Sequence, residues 1–243
     1  MNESDKFKAE VKNNISSLAE DQDVQALSRI WLREITRHKY AYNFSWMGRP
    51  LIQFPQDMIA MQEIIWDIKP DLIIETGIAH GGSLIYYASL LQLIGGDGYV
   101  LGIDVDIRAH NRREIENHPM YEHIKMIEGS SISSTTIAQV KEHTKNKKSV
   151  LVILDSNHTH EHVLKELILY SPFVTRSSYM VVFDTLLEDM PDDLVNNRHW
   201  GKGNNPKTAV QEWLKTNNDF EVDSNIEYKL LITAAPGGYL KRK

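Results

Sequence analysis

Four acidic residues close short apolar runs: Glu75 in DLIIE (71–75), Asp104 in YVLGID (99–104), Asp155 in VLVILD (150–155) and Asp184 in SYMVVFD (178–184). A fifth run, HIKMIE (123–128), lies between the second and third of these. Runs this short and this continuous are strands buried on both faces. In open parallel sheets ligands sit outside the carboxyl ends of the strands, so acids gathered there converge on one crevice. Turn and cap preferences account for one such acid; they account poorly for four.

Between the first run and the next helix the chain reads Glu75-Thr76-Gly77-Ile78-Ala79-His80-Gly81-Gly82-Ser83. A glycine-rich strand-to-helix turn lets a ligand approach the backbone and meet a helix N-terminus. The spacing is not G-x-G-x-x-G, because Ala79 takes the second glycine position, and no Gly-Lys-Ser/Thr follows, so it is not a P-loop. NAD and ATP are disfavoured. S-adenosylmethionine has no pyrophosphate and needs less of that cradle; Asp104 would then accept hydrogen bonds from its ribose hydroxyls. The candidate cofactor-binding residues are Glu75, Gly77, His80, Gly81, Ser83, Asp104, Ser130 and Asp155. A branched side chain at Gly77 is expected to fill the space where the ligand meets the backbone, leaving the fold intact.

Helical stretches separate most of the apolar runs, which means an α/β fold with a mostly parallel sheet. The clearest helix follows the glycine loop, with Leu84, Tyr87, Ala88 and Leu91 on one stripe and Gly95-Gly96 as its stop. Upstream, a helix starts at Pro55, turns Met58, Met61, Ile65 and Ile68 toward the core, and ends before Pro70. Residues 1–40 read as two amphipathic helices before Gly48 and Pro50 break the pattern. The expected division is a helical extension over residues 1–50 and a main domain over 51–243. Trp31, Tyr40, Tyr42, Phe44 and Trp46 concentrate aromatic area in the extension, which predicts a homo-oligomer formed there. Residues 186–206 read as a long polar loop, either an ordinary surface loop or a lid with Arg198, His199 and Trp200 as candidate substrate contacts. A helix over KTAVQEWLK and the segment FEVD then lead to a closing strand pair, YKLLITA and GGYLKR.

The 243 residues hold 27 Lys and Arg against 33 Asp and Glu, a net charge of −6, so no basic footprint marks a nucleic-acid binder. With no cysteine there is no disulfide, thiolate nucleophile or cysteine zinc site. No apolar run approaches the ~20 residues of a membrane span. The charged start MNESDKFKAE lacks the apolar centre of a signal peptide. The expectation is a soluble cytoplasmic protein acting on a small molecule.

The stretches PQDMIAMQEIIWDIKPDLIIETGIAHGGS, GIDVDIR, LDSNHTHEHV, VVFDT and NPKTAVQEWLKTNNDFEVDSNIEYKLLITAAPGGYLKR together resemble the cephalosporin hydroxylase family, over residues 44–243. ETGIAHGGS and PGGYLKR are its most specific blocks. The chain is similar, more distantly, to macrolide sugar O-methyltransferases. The resemblance implies a Rossmann-like class I methyltransferase fold that binds S-adenosylmethionine. It implies an O-methyltransferase for antibiotics, sugars or glycans, with a small-molecule or glycan acceptor and help from Mg²⁺. It makes Asp155 a catalytic residue and metal ligand, Asp184 the second metal ligand and His158, three residues after Asp155, the general base. A hydroxyl is too weakly acidic to attack a methyl group unaided, which is why a base and a cation are needed.

One position departs from the family. Where it carries Glu before the last aspartate, this chain has Phe183, which removes a hard oxygen ligand unless Glu188, Asp189 or the substrate replaces it. A catalytically silent S-adenosylmethionine-binding module is therefore one rival. A non-haem iron hydroxylase is another, because His158, His160 and Asp184 form a two-histidine, one-carboxylate set. Otherwise His160 and His162 read as solvated residues at a helix start.

Overall fold

The computed structural model describes residues 2–195 and 198–243. In chain order the elements are α1 (Glu3–Glu20), α2 (Gln22–Arg37), β1 (Phe44–Trp46), β2 (Arg49–Leu51), α3 (Pro55–Ile68), β3 (Leu72–Thr76), α4 (Gly82–Ile94) and β4 (Tyr99–Asp104). They continue with α5 (Ala109–Glu116), β5 (Ile124–Glu128), α6 (Ser134–Thr144), β6 (Val150–Leu154), α7 (His160–Tyr170) and β7 (Tyr179–Val182). The chain ends with α8 (Asp192–Val195), α9 (Pro206–Leu214), β8 (Phe220–Val222), α10 (Ser224–Leu230) and β9 (Tyr239–Arg242).

Strands β3 to β9 form one sheet in the order β5-β4-β3-β6-β7-β9-β8, with β1 and β2 paired separately. The five strands from β5 to β7 run parallel, while β9 is antiparallel to both β7 and β8. The expected parallel α/β sheet is present, with the five apolar runs as its five parallel strands. Sequence order reverses direction between β3 and β6, the switch point at which such sheets open a crevice.

Alternation along β3 builds two cores. Leu72 and Ile74 face the layer that holds Val140, Leu167 and Trp213, while Ile73 faces Ile65, Leu84 and Tyr87. Pro55 opens α3, and Gly95, at φ +84, closes α4 as expected. The hairpin of β1 and β2 seats on α4. Trp46 Nε1 donates to Ser89 Oγ at 3.0 Å. A Cβ on Gly82 would meet the Pro50 carbonyl oxygen at 2.1 Å, so the hairpin rests there because residue 82 has no side chain. Residue 50, the expected domain boundary, lies inside β2.

Two expectations fail. YKLLITA is not a strand: α10 runs to Leu230, and Thr233 and Ala234 turn inward onto Asp57, while FEVD supplies the partner of β9. Buried Asp57 accepts from the Thr233 hydroxyl, the Ala234 amide (2.8 Å) and the Tyr239 hydroxyl (2.7 Å). A strand over 228–234 would give the Ala234 amide to a ladder and take from buried Asp57 its one backbone donor. Nor is the segment 186–206 structureless. Its described residues hold a 3-10 turn (Thr185–Asp189), α8 and a Gly201–Asn204 bridge, and the Glu188 carboxylate ties the two ends together by accepting from Gly203 N and Asn205 Nδ2. Asn196 and Asn197 lie outside the described residues.

Candidate active site

The carboxyl ends of β3 and β6 are pinned together. Asp155 N donates to Thr76 O at 2.9 Å, and Gly77, at φ +92, would place a Cβ 2.0 Å from the Asp155 carbonyl oxygen. Substitution at Gly77 therefore breaks the junction of two central strands. The expectation that a side chain there affects only ligand approach is wrong, because the space is already filled by Asp155.

The loop after Gly77 is held from both sides. Asp104 Oδ2 accepts from Ile78 N (2.8 Å) and Ala79 N (3.4 Å), and its Oδ1 accepts from Asp106 N. On the outer side Arg49 donates from Nε and Nη2 to the His80 carbonyl at 3.1 and 2.7 Å. Asn111 donates to the Ala79 carbonyl and accepts from Arg49. Ala79 sits at φ +45, a left-handed conformation unusual for alanine, and these bonds hold it there. Nothing in the sequence linked Arg49 or Asn111 to the loop, since one lies in the hairpin and the other in α5.

A cavity of about 530 Å³ runs from Ser83 and Asp104, past Asp155, to Tyr40 and Trp200. Of the expected residues, Gly77, His80, Ser83, Asp104, Asp155, His158, Asp184, Arg198 and Trp200 line it. Glu75, Gly81, Ser130 and His199 do not. Glu75 lies beneath the loop, where Ser83 Oγ donates to it at 2.9 Å. Burial pushes its carboxyl up to about 8, and the nearby Asp104 charge adds to the rise, against the lowering effect of the Ser83 bond. Gly81 precedes α4, and Ser130 follows β5 with its carbonyl bonded to Ser133 N.

At the centre, Asp155, His158 and Asp184 each offer a ligand atom, all within 4.8 Å of one another. His158 Nδ1 lies 3.2 Å from Asp184 Oδ2, and the imidazole meets the Trp200 ring edge-on at 5.0 Å. Asp184 adopts φ +56, which turns the chain sharply after β7. Burial and the charges of Asp184, Glu75 and Glu166 hold the Asp155 carboxyl well above the usual range. Two carboxylates and an imidazole crowded in this way fit a divalent cation, whose charge would relieve their repulsion. Phe183 is 2% exposed and packs in the core. Glu188 is bonded to Gly203 and Asn205, and Asp189 pairs with Lys207 at 2.5 Å, so neither replaces the missing carboxylate.

The two-histidine iron set is not assembled. His160 bonds Thr208 Oγ1 at 2.8 Å and pairs with Glu212 at 3.2 Å on α9. His162 meets Ser131 Oγ at 3.0 Å and Glu166 at 3.4 Å. Both anchor α7 to its neighbours rather than lying in solvent. Gln53 is a residue that sequence reading missed: its Nε2 donates to Asp155 Oδ2 at 3.3 Å.

A sheet of this order, with acids gathered at the carboxyl ends of its central strands, is the class I methyltransferase architecture. Residues 38–243 match the family described as Rhamnosyl O-methyltransferase/CmcI, and the chain belongs to that family. It is 32% identical over 219 residues to a rhamnosyl O-methyltransferase of Mycobacterium tuberculosis, covering 84% of this chain and 83% of that one. The Mycobacterium leprae rhamnosyl O-methyltransferase is 32% identical over 215 residues, with 85% and 89% covered. Among solved structures, CmcI with Mg and SAM aligns with a TM-score of 0.58 at 20% identity, covering 83% of this chain and 77% of that one. The Bacillus cereus O-methyltransferase with SAH aligns at 0.52 and 12%, covering 86% and 90%.

Proposed function

We propose that this chain is an S-adenosylmethionine-dependent O-methyltransferase that acts on a hydroxyl of a sugar, glycan or related natural product, with Mg²⁺ assisting. The observation that carries this reading is one cavity that joins the Asp104-bound glycine loop to the cluster of Asp155, His158 and Asp184. The family relatives named rhamnosyl O-methyltransferases favour a sugar hydroxyl as acceptor.

The glycine loop, Ser83 and Asp104 would hold the cofactor; Asp155 and Asp184 would hold the cation. When bound, the cofactor supplies a methyl group on a positively charged sulfur and the cation stabilises negative charge on the acceptor oxygen. His158 does the proton work. His158 Nδ1 lies 3.2 Å from Asp184 Oδ2, so a proton held on Nδ1 faces that carboxylate and leaves Nε2 as the nitrogen that would take the hydroxyl proton. Trp200 packs against the imidazole and limits its rotation.

Residues 1–50 serve as an extension that walls the acceptor end of the cavity through Arg37, Lys39, Tyr40 and Tyr42. Tyr40 and Trp46 pack inward, on Phe54 and Tyr86, while Leu27, Ile30 and Trp31 stand exposed on α2. We assign the self-association surface to that exposed strip, and light scattering that finds only monomer would reject it. No described helix is long and apolar enough to cross a membrane; the cytoplasm is the proposed location.

The test is release of S-adenosylhomocysteine from the full-length protein with rhamnosylated acceptors, with and without EDTA. Acceptor-dependent release that EDTA abolishes is the expected result. Cofactor binding without release on any acceptor would mean a silent binding module.

A further inference from the structure

We propose that Gln53 is a further metal ligand, placing its amide oxygen beside Asp155 and Asp184 on a divalent cation. This rests on the metal-assisted reading above. Gln53 lies between β2 and α3, is 6% exposed, and lines the same cavity as the three clustered donors. Its Nε2 lies 3.3 Å from Asp155 Oδ2, and its buried Oε1 has no hydrogen-bond partner. A single hydrogen bond, and none to its oxygen, fixes the amide in this orientation, so the opposite orientation is open to it.

The two ends of a glutamine amide exchange places by rotation about the last side-chain torsion. Turned over, the amide puts oxygen where nitrogen now stands, 3.3 Å from Asp155 Oδ2. Oxygens bound at right angles to one cation, with bonds of ~2.0–2.6 Å, lie about 2.8–3.7 Å apart. The separation therefore suits two neighbouring ligands of one ion as well as it suits a hydrogen bond.

The cluster needs such a ligand. Hard cations take six or more oxygens, yet only Asp155 and Asp184 bring carboxylates to the cluster, and Glu188 and Asp189 are committed elsewhere. Just after β7 the chain supplies Asp184, but residue 183 beside it is a phenyl ring and no ligand. Phe183 and Gln53 both line the main cavity that holds Asp155 and Asp184, and Gln53 brings a polar side chain to that wall where Phe183 brings none. A neutral amide oxygen in place of a carboxylate also predicts a weaker site, and a negative charge at position 53 should strengthen it.

The experiment titrates Mn²⁺ into full-length wild type, Gln53→Ala and Gln53→Glu, reading free Mn²⁺ by paramagnetic resonance and S-adenosylmethionine affinity by calorimetry. Gln53→Ala should weaken Mn²⁺ binding by about tenfold or more, with cofactor affinity unchanged. Gln53→Glu should tighten it by about tenfold. If wild type binds Mn²⁺ and both variants bind it equally, Gln53 is not a ligand and the metal reading stands. If wild type binds no Mn²⁺, that reading falls and this inference with it. Should Gln53→Ala fail to fold, Gln53→Glu, nearly the same shape, decides alone.

Discussion

His158 Nδ1 lies 3.2 Å from Asp184 Oδ2, so the side chain placed to take a proton is oriented by one of the carboxylates placed to hold the cation. Base and metal site are thereby joined, yet their loss should read differently. His158→Ala should lower kcat by roughly 10²–10⁴ and leave S-adenosylmethionine affinity unchanged. Asp184→Asn should also remove the response to Mg²⁺, because an amide keeps the shape and loses the charge. Activity that survives His158→Ala and ignores EDTA would sink the mechanism and leave the fold assignment standing.

Asp104 takes two amides of the glycine loop on Oδ2. Asp104→Ala should weaken S-adenosylmethionine binding by about 1.5–3 kcal/mol, the range for hydrogen bonds to a charged group. Calorimetry checks this, and an unchanged Kd would exclude Asp104 from the site.

Arg49 holds the loop from outside, bonding the His80 carbonyl with two nitrogens while its side chain is 12% exposed. Arg49→Ala should raise the Kd for the cofactor by about tenfold, because the loop loses a bond worth ~1.5 kcal/mol to its conformation. Arg49→Lys should not restore it, since an ammonium cannot fork onto the carbonyl and reach Asn111 as well. Equal cofactor affinity in all three proteins would make Arg49 a fold contact only.

Glu75 gives a pH signature. Its carboxyl is raised from 4.5 to about 8 in the folded protein, so between those values the folded state holds a proton that the unfolded chain has lost. Its contribution is full below about 4.5 and is lost as pH rises through about 8. Glu75→Gln keeps the neutral shape at every pH. The Tm of wild type should fall more steeply than that of Glu75→Gln between about pH 5 and 8.5. Asp57, raised to about 6, contributes to both slopes and cancels in the comparison. Parallel melting curves across that range would show that Glu75 is ionised in the native protein.

The five parallel strands, the glycine loop and the helices around them were legible because each is a local pattern. A strand buried on both faces must be apolar throughout, and a helix must repeat its apolar face every three or four residues, whatever surrounds it. Asp104, Asp155 and Asp184 were legible for the same reason: a parallel sheet puts the end of every strand on one edge, so position along the chain fixes position in space. The failures were non-local. YKLLITA has strand composition, but Asp57, more than 170 residues earlier, draws Thr233 and Ala234 away from any ladder. Gly77 looked like ligand space until the Asp155 carbonyl was found filling it. Arg49 and Gln53 read as ordinary polar residues in a broken stretch. Only packing of the hairpin on α4 brings one to the His80 carbonyl and the other to Asp155, because a side chain's partner is set by which surfaces meet, not by its neighbours in sequence.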